Sequence, residues 1–231
     1  MLYGYVIKSF SCNQHNEETK MKNTLLKSAS LAALIVSGMT APAIAKEAGD
    51  LLMRGRVIYV VPNEDATTSI GGTVGINNDI VPELDFTYFL TDNVGVELIL
   101  ATTKHNVTAL NTALGASAAL GSVMLLPPTV TLQYHFNPKG DISPYIGAGI
   151  NYTFYYSENA PGGTIADIDY NDGFGFALQA GVDFKINDDW SFNVDVKRYW
   201  LNTDVNINGG GVTADVDIDP WIFGVGFGYT F

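Results

Sequence analysis

The chain has 231 residues, of which 47% are hydrophobic and only 16% are charged, and its formal net charge is −12. This acidity argues against nucleic acid as a partner, because Lys and Arg are too few to form the basic surface that neutralises phosphates. The single cysteine, Cys12, precedes the expected mature start, so the mature chain would have neither disulfides nor thiolate chemistry.

The first feature in chain order is a secretory leader. Two lysines follow Met21, residues 31–36 are apolar, and Ala43-Ile-Ala45 has the small-x-small pattern of a cleavage site. We expect residues 1–20 to be an over-long extension ahead of the true start, residues 21–45 to be a signal peptide, and residues 46–231 to be the mature barrel. A short buried helix is the alternative for the apolar run, and the choice between Met1 and Met21 as start stays open.

After the leader, apolar residues recur at every second position, which is the period of a β-strand with one apolar face. Eight such segments lie near residues 51–61, 80–90, 93–103, 128–137, 143–156, 173–186, 189–203 and 214–231. Three tight turns rich in Asn and Asp alternate with long stretches at residues 62–79, 104–127, 157–172 and 204–213. This pattern predicts an all-β protein, an eight-stranded antiparallel transmembrane β-barrel with short periplasmic turns and long extracellular loops. The Ala-rich part of the 104–127 stretch is a candidate for a helical turn.

The last segment alternates most sharply. Aromatic and apolar residues occupy one face from Trp221 to Phe231, and glycines occupy much of the other. Glycine makes a poor solvated face but suits the wall of a narrow lumen, so we expect the aromatic face to contact membrane lipids. A chain that ends on an aromatic residue in this way also resembles the signal for the outer-membrane insertion machinery. We therefore predict the cell outer membrane of a Gram-negative bacterium, and a monomer, since nothing in the pattern demands more.

The inward positions divide into two levels along the predicted barrel. Charged and polar residues lie near the periplasmic end and predict a plug of Arg54, Arg56, Asp85, Glu97, His135, Asp183 and Lys185. Buried charges of both signs must pair there, because an isolated buried charge is very unfavourable. Apolar residues lie toward the outer end and predict a channel lined by Ile58, Val60, Ile99, Ala101, Tyr155, Tyr199 and Leu201. Prolines at 82, 127 and 128 remove ladder donors and indicate either a lateral opening or simple strand ends.

Five stretches of the chain are informative when taken together; they lie at residues 46–54, 91–97, 126–129, 144–152 and 219–223. Their combination resembles the OmpW family of outer-membrane proteins. The resemblance implies a narrow hydrophobic channel for uptake of small hydrophobic molecules, with lateral release into the membrane, and alkane uptake in some members. It also implies a constriction formed by an aliphatic residue of the third strand, here Ile99, and an aromatic residue of the seventh. The second position is Lys197 in this chain, beside Tyr199 and Trp200.

Two other classes of function are weaker interpretations. An enzyme needs a nucleophile, a base and an orienting group, and the mature segment offers only His105, at a loop edge, and His135, which we expect to pair with a carboxylate. The alternating Asp215, Asp217 and Asp219 indicate a solvated rim, so neither metal nor other cofactor is expected. A structural or surface-recognition barrel, acting through its loops without transport, would carry charge to the top of its lumen, which the apolar outer level argues against.

Overall fold

The computed structural model describes residues 46–231, so the expected extension and signal peptide lie outside the described range. Eight strands form a closed antiparallel wall in the order β11-β12-β15-β1-β4-β5-β8-β9, with β9 pairing back to β11. They are β1 (Leu51–Val61), β4 (Asp79–Phe89), β5 (Val94–Ala101), β8 (Thr129–His135), β9 (Ile142–Asn159), β11 (Gly173–Lys185), β12 (Trp190–Trp200) and β15 (Trp221–Thr230). The predicted eight-stranded barrel is confirmed, with the three short turns at one end.

Within residues 46–231, seven more strands continue the wall beyond the other end. They are β2 (Asp65–Thr68), β3 (Thr73–Ile76), β6 (Thr103–Thr112), β7 (Gly115–Leu126), β10 (Ile168–Tyr170), β13 (Asn202–Ile207) and β14 (Val212–Asp217). Strands β3, β6 and β7 extend from the upper part of β9, while β10, β13, β14 and β2 form a separate sheet. The long stretches are therefore largely paired strands and not loose loops.

Two expectations about these stretches are wrong. The Ala-rich segment for which a helical turn was considered belongs to β7, which pairs with β6 from Thr103↔Leu125 to Thr112↔Gly115. This hairpin gives the backbone groups ladder partners, and tertiary pairing of that kind overrides the high helical propensity of alanine. The predicted segment 214–231 is two strands, because Asp219 adopts a φ of 38° and Pro220 has no N–H to donate.

The outer surface of the wall is apolar. On β15, Phe223, Val225 and Phe227 are about half exposed, at 49%, 50% and 54%, while Gly224 is buried, Gly226 is half-buried and Gly228 is buried. The same alternation leaves large apolar side chains exposed on the neighbouring wall strands. The described residues contain no helix long and apolar enough to span a membrane.

Glycines in the wall make room for large side chains inside it. A β-carbon on Gly181 would lie 2.5 Å from the Tyr145 ring, and one on Gly224 would overlap the Asp195 carboxylate. Gly226 is similarly close to Arg56. The glycine face of the last strand therefore accommodates the charged interior of the barrel, at the level of the short turns, and does not widen an apolar channel.

Candidate functional site

The half of the lumen nearest the short turns is filled by nine charged side chains, which we call the charged plug. They are Lys46, Arg54, Arg56, Glu83, Asp85, Glu97, Asp183, Asp195 and Lys197. Each is at most 6% exposed. Four cations face five carboxylates, so nearly all of the buried charge is compensated within the network.

Arg54 holds the lower part of the plug together. Its guanidinium lies 3.0 Å from Asp85, 3.2 Å from Glu97 and 3.3 Å from Asp183, on three different strands. The same guanidinium lies over the Tyr145 ring, 5.0 Å from its centroid. One side chain of β1 therefore ties β4, β5 and β11 together across the lumen.

Arg56, two residues further along β1, holds the upper part. It lies 2.8 Å from Glu83, 2.6 Å from Asp85 and 2.6 Å from Asp195. Lys197 completes this level at 2.9 Å from Glu83 and 2.7 Å from Asp195. The position where the OmpW resemblance implies an aromatic constriction is thus a cation of the plug, so Lys197 is not a lining residue of an apolar channel.

Neutral polar groups satisfy further acceptors of the plug. Glu97 accepts hydrogen bonds from Thr131 at 2.7 Å and from the Gln179 amide at 2.6 Å. The Asn193 amide donates to Asp183 at 2.7 Å and to the Tyr145 hydroxyl at 3.1 Å. Buried ionic groups are tolerated where their lone pairs are satisfied in this way.

Two residues predicted for the plug behave differently. His135 is fully buried but pairs with no carboxylate in the described chain; its ring stacks on Tyr145 at 5.0 Å and its Nε2 lies 3.0 Å from the Gln133 amide oxygen. Lys185 is exposed and pairs with Asp188 at 2.8 Å, because β11 ends there and runs out of the lumen. The lysine that pairs with Asp183 is Lys46, whose ammonium lies 2.5 Å from that carboxylate.

Sequence reasoning did not place Lys46, Glu83 and Asp195 in the plug. The sequence contains a signal that two of them face the lumen. Glu83 lies two residues from Asp85 on the same strand, and Asp195 lies two residues from Lys197, so each pair shares one face. Lys46 precedes β1, so no alternation along a strand predicts which way its side chain points. Its contact with Asp183 is visible only in the folded structure.

Above the plug lies a small apolar cavity, which we call the mid-barrel pocket. Its volume is about 40 Å³. Its wall includes six of the residues expected to line a channel, namely Ile58, Val60, Ile99, Ala101, Tyr199 and Leu201. Glu83, a member of the plug, also lines this pocket, so the charged plug lies directly beneath it.

A second cavity, the outer pocket, lies between the strand extensions and has a volume of about 30 Å³. Tyr155, expected in the channel, lines this outer pocket and not the mid-barrel pocket. His105 lines both cavities, so they adjoin each other; it is a buried residue of β6 and not a loop-edge residue. Both cavities are small, so a solute with a chain of several carbon atoms must displace side chains to enter.

The wall of the mid-barrel pocket has an interruption in its hydrogen-bond ladder. Strands β5 and β8 pair up to Ile99↔Thr129, and β6 and β7 resume pairing at Thr103↔Leu125. By this register Ala101 would face Pro127, but no main-chain pairing joins residues 100–102 to residues 126–128 in the described chain. Ala101 and Pro127 both line the mid-barrel pocket, so this interruption lies directly beside it.

The acidic residues near the outer rim have protein partners. Asn202 donates to Asp215 at 2.6 Å and to Asp217 at 2.9 Å. Asp219 pairs with Arg198 at 3.5 Å, and the Arg198 guanidinium lies 5.3 Å from the Trp221 ring centroid. Arg198 is thus satisfied on the outer face of the wall, at the level of the pockets.

Comparison with known proteins gives consistent matches. A family model described as the OmpW family matches residues 47–231. Outer membrane protein W of Salmonella typhimurium is 36% identical over 217 residues, covering 89% of this chain and 100% of that protein. An uncharacterised outer-membrane protein, y4mB of Sinorhizobium fredii, is 39% identical over 164 residues, or 70% of each chain. The crystal structure of OprG from Pseudomonas aeruginosa superposes with a TM-score of 0.75 at 29% identity, covering 81% of this chain and 98% of that one.

Proposed function

The chain belongs to the OmpW family of outer-membrane barrels, and from this premise we propose that it takes up small hydrophobic molecules through its pockets and releases them sideways into the membrane. The barrel lies in the outer membrane of a Gram-negative bacterium, with its apolar face in lipid and its short turns in the periplasm. The matched relatives are named as outer-membrane proteins, and these names describe no enzyme. The observation that carries the proposal is the ladder interruption beside the mid-barrel pocket.

The charged plug makes passage straight through the barrel unfavourable. Moving Arg56 aside would leave Glu83 and Asp195 as buried carboxylates without full compensation, which is strongly destabilising. Moving the apolar side chains above it costs only packing contacts. A solute that reaches the mid-barrel pocket from outside is therefore more easily accommodated sideways than downward.

The interruption offers the sideways route. Pro127 has no N–H to donate to the ladder. Near it, the Leu125 carbonyl accepts a hydrogen bond from the Thr102 hydroxyl at 3.1 Å, so a side chain contributes to the contact between the two strands. On the outer surface beside it, Leu98 and Val130 are 39% and 47% exposed. An opening at this interruption would join an apolar pocket to the lipid-facing surface with few hydrogen bonds to break.

A reversible crosslink tests this route. In a Cys12→Ser background, the pair Ala101→Cys and Pro127→Cys would close the interruption when oxidised. Uptake of a medium-chain alkane, octane, by cells that carry this variant should fall to the level of cells without the protein, and reductant should restore it. A matched control is the pair Val60→Cys and Ile222→Cys, which are register partners in the continuous β1–β15 ladder of the same pocket.

Oxidation of the control pair should leave its uptake equal to that of the same variant in the reduced form. If the oxidised Ala101/Pro127 variant takes up octane as fast as the reduced one, release does not occur here and the lateral route is wrong. If cells with and without the unmodified protein take up octane equally, the uptake function itself is wrong, and a barrel that acts through its surface loops becomes the better explanation.

A further inference from the structure

Two tyrosines form an unusual feature of the outer pocket. Tyr155 on β9 and Tyr170 on β10 stack with ring centroids 5.6 Å apart and an interplanar angle of 12°. Both line the outer pocket. Their hydroxyl oxygens are fully buried, and neither has a hydrogen-bond partner among residues 46–231. Buried hydroxyls are normally paired, so two unpaired ones side by side point to a ligand.

The remainder of the outer pocket offers them little. Most of its lining is Val, Ile and Leu, side chains that accept no hydrogen bond. Thr203 lies beside Tyr155, and its hydroxyl donates to the Asn171 carbonyl at 3.0 Å, which leaves its oxygen as an acceptor with which a ligand of Tyr155 must compete. Burial raises the pKa of Tyr170, so its hydroxyl keeps its proton and remains a donor. The site therefore offers two donors in apolar surroundings.

The tyrosines lie at a seam between two strands. The ladder pairings of the described chain do not join β9 to β10; side chains bridge the two strands instead. The Asp172 carboxylate accepts the Tyr155 N–H at 2.8 Å, and the Glu158 carboxylate accepts the Tyr170 N–H at 3.0 Å. These carboxylates place negative charge beside the site, which disfavours an anionic ligand.

We propose that Tyr155 and Tyr170 recognise the carbonyl oxygen of a neutral amphipathic solute, such as a medium-chain ester, whose apolar chain lies in the outer pocket. This inference rests on the uptake function proposed above and specifies its substrate class. A carbonyl oxygen accepts two hydrogen bonds, which matches two adjacent donors. An alkane would leave both hydroxyls unpaired, and a carboxylate would be repelled by Glu158 and Asp172.

The experiment compares three solutes of similar length, namely methyl octanoate, decane and octanoate. At concentrations below saturation, the unmodified protein should take up methyl octanoate faster than octanoate at neutral pH. In the variant Tyr155→Phe/Tyr170→Phe, methyl octanoate uptake should fall about fivefold for each hydrogen bond lost, the factor expected for a typical net hydrogen bond. Decane uptake should not change, because its transfer uses neither hydroxyl.

Tyr134→Phe serves as the matched control, since Tyr134 faces outward on β8 and is 46% exposed. It should leave the uptake of all three solutes unchanged. If the double variant lowers methyl octanoate and decane uptake equally, or lowers neither, the tyrosines do not recognise a carbonyl and the inference is wrong.

A binding measurement separates this inference from the uptake function. Saturation-transfer NMR on the purified barrel should show methyl octanoate bound to the unmodified protein and its signal weakened in the double variant. Tyrosine-dependent binding without any uptake in cells would keep the site and reject the uptake function. Uptake with no dependence of binding on the tyrosines would reject the site alone.

Discussion

The same wall strands form the charged plug and the pockets above it, yet the two regions have opposite chemistry. On β5, inward Glu97 belongs to the plug and Ile99, two residues on, lines the mid-barrel pocket. On β12, Lys197 belongs to the plug and Tyr199 to the pocket. On each of these strands, two successive inward-facing residues therefore separate the charged part of the lumen from the apolar part. The boundary between the plug and the mid-barrel pocket lies where the inward-facing residues of each strand change from charged to apolar.

This difference determines what each region does. In the plug, every cation contacts at least one carboxylate, so no member moves without leaving a buried charge exposed to an apolar medium. In the pockets, side chains interact by contact alone, and displacing one forfeits dispersion contacts that are individually small. We therefore expect the side chains of the pockets to be displaced more readily than those of the plug.

The largest expected effect comes from removing one cation of the plug. Arg56→Met should leave Glu83, Asp85 and Asp195 with too little positive charge, and breaking a buried ion network in this way typically costs about 3–5 kcal/mol. We expect the urea midpoint of the barrel folded in lipid vesicles to fall strongly. The measurement is the loss of the compact, faster-migrating band in unheated gels as urea rises.

Lys139→Met provides the control for this prediction. Lys139 also pairs with two carboxylates, Glu47 at 3.0 Å and Asp92 at 2.9 Å, but its side chain is 50% exposed at the periplasmic turns. Water replaces those contacts, so the midpoint should not move measurably. If Lys139→Met lowers the midpoint as much as Arg56→Met, burial is not what makes the plug rigid.

The next largest effect comes from overfilling the plug. Gly181→Ala places a β-carbon 2.5 Å from the Tyr145 ring, which is 1% exposed and fixed beneath Arg54. Overpacking of this kind typically costs about 1–3 kcal/mol, and the same urea titration measures it. Gly55→Ala on the outer surface is the matched control, because its β-carbon would meet nothing within 4 Å. Equal midpoints for the two variants would show that Tyr145 has room to move.

Strand parity made much of this arrangement predictable from the sequence. A period of two assigns each residue to one face, and the apolar face had to meet lipid because a charged residue there costs about 2–4 kcal/mol at mid-membrane. The wall strands, the short turns and the two levels of the lumen follow from that rule. Of the residues expected in a channel, Ile99 and Leu201 line the mid-barrel pocket because parity and height were both correct.

The alternation of faces along a strand does not show which side chains contact each other, and it does not show how the chain folds beyond the barrel wall. His135 faces the lumen as its position in the strand predicts, but its ring contacts the Phe89 and Tyr145 rings and no carboxylate, and no pattern in its own strand indicates those contacts. The prediction that Lys185 belongs to the plug is wrong because the alternation of inward and outward faces no longer applies where a strand leaves the barrel. The sequence predicts loops where the extension strands lie, because their Thr, Asn and Asp residues are typical of both loops and solvated strands.

The smallest effect concerns the outer pocket and depends on pH. His105 is buried, and burial lowers its pKa, although nearby Asp79 opposes this. Its Nδ1 lies 2.8 Å from the Asn77 carbonyl, which only accepts, so Nδ1 carries the proton of a neutral ring. Below a pH of about 6.5, the ordinary value for histidine, the unfolded chain binds a proton that the folded chain does not. The stability contributed by neutral His105 is therefore present at higher pH and is lost as the pH falls.

Hydrogen exchange measures this loss locally. Amides of β3 and β6 around His105 should exchange faster at pH 5 than at pH 7.5, after correction for the intrinsic rate, while amides of β1 beside the plug serve as the reference. His105→Gln, whose amide still donates to Asn77, should abolish the difference because glutamine does not titrate. If the variant keeps the full pH dependence, the acid sensitivity of the outer strands arises from other groups, and the deformability of the outer pocket is not governed by this histidine.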